Sequence, residues 1–258
     1  MKARLGIIAL GSLSALLCVF LILPTLAVVP LSFTSTDFII FPPRGFSWRW
    51  YQAFFIRPEW QAALWNSVIV GLSTAVLATT LGTMAALGLP RLPRWANRLL
   101  GFFFLLPMIV PTIITAVGLY GPFSKVGLIA TVPGTIVAHT MLALPFVVIN
   151  VSAVMQKLDW RIVQAARSLG ASPGVAFRKV TLPALAPGVA AGALFAFLTS
   201  FDEVVVAIFI SGSGAITLPV QMWNGIRFEI SPIVAAASTL LLLASCGLLA
   251  LYHLLRRT

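Results

Sequence analysis

The sequence predicts an all-α, polytopic membrane protein with six transmembrane helices, and three observations carry that expectation. The 258-residue chain is 60% hydrophobic and only 9% charged. Its apolar residues gather in continuous runs longer than about 18 residues, too long for ordinary core helices and matched to a hydrocarbon layer ~30 Å thick. Its basic residues are concentrated in every second inter-run segment, as a chain that crosses a bilayer repeatedly requires. Backbone groups inside lipid must bond within their own segment, so the runs are expected to be helices. A β-barrel is disfavoured because the runs are continuous rather than alternating.

Taken in order, the first run is Ile7–Leu31. Lys2 and Arg4 precede it, and Thr25-Leu26-Ala27 offers small residues suited to cleavage. The apolar stretch is about twice a normal signal core, so it is expected to remain as a span. The outer segment Ser32–Gln61 contains the turn cluster Phe41-Pro42-Pro43-Arg44-Gly45. Trp48, Trp50, Tyr51, Phe54, Phe55 and Trp60 follow, a density expected of an interfacial belt, with contact to an external partner as the alternative.

The second run is Ala62–Leu89, and the third, Leu99–Leu119, carries Pro107 and Pro111. The fourth is Val132–Val154 with Pro145 inside it, and an inner loop of about 155–183 follows. The fifth run, Ala184–Ile210, holds Gly188 and Gly192 as a G-x-x-x-G, and the sixth is Pro232–Leu254. Intramembrane prolines are tolerated where neighbours or water rescue the freed carbonyl, and small residues let backbones approach, so these are read mainly as packing devices. No soluble domain is expected, and residues 1–258 are read as one transmembrane domain.

The net charge of +11 follows from topology. Lys2, Arg4, Arg91, Arg94, Arg98, Lys157, Arg161, Arg167, Arg178, Lys179, Arg256 and Arg257 fall on one side of a six-span chain. Arg44, Arg49, Arg57, Lys125 and Arg227 fall on the other. Twelve against five places both termini in the cytoplasm and removes the reason to invoke nucleic acid. Cys18 and Cys246 both lie within runs, away from His or carboxylate pairs, and form neither an external disulfide nor a metal site.

The inner loop is the most patterned polar segment. Asp159 can cap a helix over Trp160–Leu169, and Gly170 suits its end. Ser172-Pro173 starts the next element, a second short helix, and Leu182-Pro183 marks re-entry into the membrane. An ordinary interfacial loop would use Arg161, Arg167, Arg178 and Lys179 to bind anionic headgroups. The spacing is more particular than that: Gln164-Ala165-Ala166, three residues, Gly170, nine residues, Val180-Thr181-Leu182-Pro183.

This pattern resembles the signature loop of the membrane subunits of ATP-binding-cassette importers, with Gln164 where that family usually has Glu and Val180 where it usually has Ile. The resemblance implies an importer permease fold in which Trp160–Gly170 is a cytoplasmic coupling helix docked in a groove of a separate ATPase. Asp159, Gln164, Ala165, Ala166, Gly170, Leu182 and Pro183 are the residues implicated. Gln164 keeps hydrogen-bonding capacity without the carboxylate. The chain contains no G-x-x-x-x-G-K-[ST] stretch, so it is expected to be no enzyme and to hold no cofactor, with ATP and Mg on the partner ATPase.

Asp202 and Glu203 interrupt the fifth run, roughly 10 Å below its outer end at about 1.5 Å per residue. Carboxylates at that depth cost at least a few kcal/mol unless they face water, a partner or a cation. At about 100° per residue, a continuous helix would let both face the bundle interior beside Gly188, Gly192, Ala196 and Thr199. Three readings stay open: a structural pair with Arg or Lys, Arg227 being within range; protonated helix contacts; or the path of a positively charged solute.

Ser200-Phe201-Asp202-Glu203, Thr217-Leu218-Pro219-Val220-Gln221-Met222, Ile226-Arg227-Phe228 and Ser231-Pro232 look like the spermidine/putrescine-type permease subgroup, in its second, C-type subunit. That resemblance implies a bacterial inner-membrane location and uptake of a small cationic amine. The implied partners are a second permease, an ATPase dimer, an extracytoplasmic solute-binding protein and membrane lipid. An amino acid, 4-aminobutyrate or aminophosphonate is the alternative cargo. An ATPase-independent channel or secondary transporter is a rival class, though no obvious internal repeat supports it. An intramembrane enzyme is another, but His139 and His253 are too scattered to build a reacting centre, and His139 is read as a packing residue.

Overall fold

The computed structural model describes residues 2–257, and among them every regular element is helical. The side chains of Lys2, Arg4, His253, Arg256 and Arg257 lie outside the described residues. The chain divides into two compact units, 62–220 and 1–61 with 221–258.

The larger unit is built on α3 (Pro58–Gly88) from Ala62 onward, with α4 (Arg94–Ile109), α5 (Thr112–Lys125), α6 (Val132–Met155) and α9 (Leu182–Phe201), while the first turn of α3 belongs to the smaller unit. Its spine is the long antiparallel contact of α6 with α9, permitted by small residues. A Cβ at Gly188 would lie 2.9 Å from the Asn150 carbonyl oxygen, and one at Gly192 would lie 3.0 Å from Val147 Cα. Gly82 of α3 approaches Val147 from the other side, where a Cβ would meet its Cβ at 2.7 Å. Val147 therefore sits where three backbones converge, in a core of Ala78, Ala86, Ala143, Val151, Leu185 and Ala196. Small side chains rather than large ones set the helix spacing, as lipid-embedded bundles require.

Two of the expected spans are not continuous helices. The third is broken between α4 and α5, which meet at 107°. Pro111 lacks an N–H and forces the residue before it away from the helical region, so Val110 is extended at φ −76°, ψ 128°. The fifth ends at Phe201 and resumes as α10 (Val205–Ile210), leaving Asp202, Glu203 and Val204 in a short connection. The expectation that the two carboxylates ride one face of an unbroken helix is therefore corrected. Leu182-Pro183 does not interrupt the helix, and the second short helix of the inner loop continues into α9 as one helical stretch from Pro173 to Phe201. A widened turn at Phe177–Thr181, in which the Leu182 N–H reaches back to the Phe177 carbonyl, carries the helix past Pro183, which cannot donate.

Among the described residues, four helical stretches are long and apolar enough to cross a membrane: Leu10–Leu31, Pro58–Arg91, Val132–Met155 and Pro173–Phe201. Counting the bent α4–α5 pair as one span gives five. After the short α11 (Leu218–Asn224), the sixth expected span corresponds to α12 (Ile233–Arg257), whose described apolar part, Ile233–Gly247, is shorter.

The smaller unit joins α1 (Lys2–Leu31), α2 (Arg49–Ile56) and α12. Here the belt expectation divides. Trp48 and Phe55 are exposed, whereas Trp50, Phe54 and Trp60 are buried and form the unit's core. The Trp50 indole N–H donates to the Thr34 carbonyl at 2.9 Å, satisfying the polar edge of a buried ring.

Candidate functional site

Residues 155–183 fold as a surface helix followed by a turn. Asp159 caps α7 (Trp160–Ser168) by accepting from the Arg161 N–H at 3.0 Å. The other end closes with paired bonds, Ala171 N–H to Ala166 O at 3.1 Å and Gly170 N–H to Arg167 O at 3.0 Å. That Schellman closure requires a left-handed residue, which Gly170 supplies at φ +92°. No atom lies within 4 Å of where a Gly170 Cβ would stand, so the glycine serves the backbone and leaves open space outside it. Ser172 then caps α8 (Pro173–Ala176) through the Val175 N–H.

The helix has two apolar faces. Trp160, Val163 and Arg167, at i, i+3 and i+7, turn toward the body of the unit and line a cavity there. Ile162, Ala165 and Leu169 share the same spacing on the opposite face and are exposed, Leu169 at 89%. Gln164 is exposed on the flank and Ala166 is half-buried. Ile162 and Leu169 were not singled out from the sequence, although their helical spacing relative to Ala165 carried the signal.

The second place of interest is the break after α9. Glu203 turns inward and accepts from the Val206 N–H at 2.9 Å and the Ala207 N–H at 2.8 Å, capping α10. Its carboxylate also lies 3.6 Å from Nε2 of the fully buried His139 on α6. The other ring nitrogen, Nδ1, is 2.8 Å from the Ser200 hydroxyl on α9. His139 thus packs between helices as expected, but it does so as a polar link whose partners lie 61 residues or more away, beyond the reach of any local pattern.

Asp202 is arranged differently. Its N–H closes α9 onto the Leu198 carbonyl at 3.0 Å, and its side chain is exposed. Among the described residues neither Asp202 nor Glu203 is paired with a lysine or arginine. Arg227, suggested as a partner, lies in the smaller unit over the ring of Phe228. One carboxylate is thus committed to the fold, and its neighbour is presented outward. Chemically, the break offers a negative point beside a polar, hydrogen-bonded hinge. Among the described residues no group of His, Cys, Asp and Glu could hold a metal ion.

Residues 78–258 match the family described as "Binding-protein-dependent transport system inner membrane component". The spermidine/putrescine transport system permease protein PotC of Haemophilus influenzae is 31% identical over 238 residues, covering 92% of both chains. The trehalose transport system permease protein SugB of Mycobacterium tuberculosis is 33% identical over 216 residues, covering 82% of this chain and 79% of that one. Among solved structures, a bacterial transporter involved in import of the acidic polysaccharide alginate superposes with a TM-score of 0.74 at 14% identity, covering 100% of this chain and 97% of that chain. That last likeness speaks to the fold alone.

Proposed function

Since the chain belongs to the binding-protein-dependent transport system inner membrane component family, and so is a multi-pass permease subunit rather than a catalytic one, we propose that its cargo is a small cationic amine of the polyamine class. The observation that carries this reading is Asp202, an exposed carboxylate at the break that follows the membrane-crossing stretch Pro173–Phe201, with no basic partner among the described residues. A carboxylate kept there without a counter-ion is costly unless a cationic ligand or water meets it. The PotC likeness over 92% of both chains supports the same class of cargo.

In this reading the chain pairs with a second permease, and the solute path runs between them. An ATPase dimer grips the outward face of α7, and an external binding protein delivers the amine. ATP and Mg belong to the ATPase. The inner loop and both termini are cytoplasmic, in keeping with the distribution of basic residues. Closure of the ATPase dimer would move α7 as a rigid body and shift the spans attached to it. Glu203 positions the break by capping α10, while Asp202 attracts ammonium groups when the path is wet.

A neutral sugar is the second reading, favoured by the SugB likeness. Uptake into proteoliposomes holding the permease pair, the ATPase and the binding protein separates them. Labelled putrescine or spermidine should accumulate with ATP, and Asp202→Asn should lower that uptake. Accumulation of trehalose with no amine uptake would reverse the assignment.

A further inference from the structure

Behind α7 lies space that the protein does not fill. A cavity of about 250 Å³ opens between the inner face of α7, the end of α3 and the widened turn at Phe177–Thr181. A second, of about 390 Å³, adjoins it along the end of α6. The two share Leu87, Arg91 and Trp160, and the first adds Arg167. Among the described residues neither guanidinium is engaged in an ion pair. Leu87, Val163 and Phe177 make the floor apolar.

The two cavities are lined from the ends of three apolar helical stretches, Pro58–Arg91, Val132–Met155 and Pro173–Phe201, and the ends of membrane-crossing helices are where lipid phosphates are met. Two unpaired guanidiniums with an indole above an apolar floor suit a phosphodiester bearing hydrocarbon. Guanidinium matches phosphate geometrically, and Trp favours the headgroup level. We propose that this cavity binds the headgroup of an anionic phospholipid, which wedges between α7 and the end of α3 and completes the support of the coupling loop. Asp159, at the start of α7, is the acidic group nearest in sequence, and its carboxylate is engaged by the Arg161 N–H. The inference rests on the chain being a membrane permease but not on which solute it carries.

Native mass spectrometry of the detergent-purified permease complex tests it, with phosphatidylglycerol and phosphatidylcholine offered at equal amounts. The wild type should retain phosphatidylglycerol preferentially. Arg91→Gln with Arg167→Gln should lower that retention about thirtyfold, the loss of two basic contacts at roughly 1 kcal/mol each. Arg161→Gln, which does not line the cavity, should leave it unchanged. Arg91→Lys with Arg167→Lys, which keeps the charge but loses the fork, should retain an intermediate amount. Equal lipid retention by wild type and the double Gln variant would overturn the proposal, as would an equal loss in Arg161→Gln. Inorganic phosphate at millimolar concentration should leave the lipid in place. Displacement of the lipid by phosphate would assign the site to a free anion instead.

Discussion

Asp202 and Glu203 are adjacent, yet the fold gives them different work. Glu203 holds two amide protons at the start of α10, so removing its carboxylate strips a cap. Glu203→Ala should therefore cost about 1 kcal/mol of stability, while Glu203→Gln keeps an acceptor and should cost less. Thermal unfolding of the purified permease in detergent reads the difference, and equal melting of the two variants would contradict the capping role. Asp202→Asn should leave melting unchanged but raise the KM for amine uptake roughly tenfold, the scale of one lost charged contact. The sequence made the pair visible because carboxylates in an apolar run stand out. It did not separate them, because the partners that turn Glu203 inward, His139 and the amides of a helix that restarts at Val205, depend on the chain breaking where the hydropathy does not.

At the level of elements, α7 was legible almost residue by residue. Asp159, Gly170 and Ser172 are local signals whose effects act within one turn, and each caps or closes a helix as its chemistry requires. The breaks were less legible. Pro111 carried the information for the α4–α5 bend, but prolines are also tolerated inside uninterrupted helices, as Pro145 within α6 demonstrates. Pro183 did not end the preceding helix, because the widened turn absorbs its missing donor. Two predictions belong here. Gly192→Leu should drive a side chain into Val147 and destabilise the α6–α9 contact by about 1–3 kcal/mol, measured as lower thermal stability. Gly170→Val meets no neighbour, so its effect is backbone strain of about 1–2 kcal/mol in the closure of α7. Gly170→Asn, which tolerates the left-handed region, should be milder. ATP hydrolysis without matching uptake in the Val variant, and near-normal coupling in the Asn variant, is the expected pattern. Identical behaviour of the two would show that the closure of α7 is not what matters.

For the whole molecule, membrane residence and helical class followed from composition and run length, which act on every residue and survive local surprises. The partition into two compact units did not, since it depends on long-range packing such as that of α1 and α2 with α12. The same limit applies to the aromatic segment, where burial of Trp50, Phe54 and Trp60 depends on packing that the sequence does not display. The central claim is that α7 presents Ile162, Ala165 and Leu169 to a motor protein and that the rest of the chain responds. Ala165→Asp with Ala166→Asp tests it most directly in proteoliposomes containing the assembled importer, with ATP hydrolysis and labelled amine uptake measured together. The account predicts that hydrolysis continues while uptake falls to the level seen without ATP. Uptake at the wild-type rate in that variant, or wild-type uptake with the ATPase left out, would contradict it.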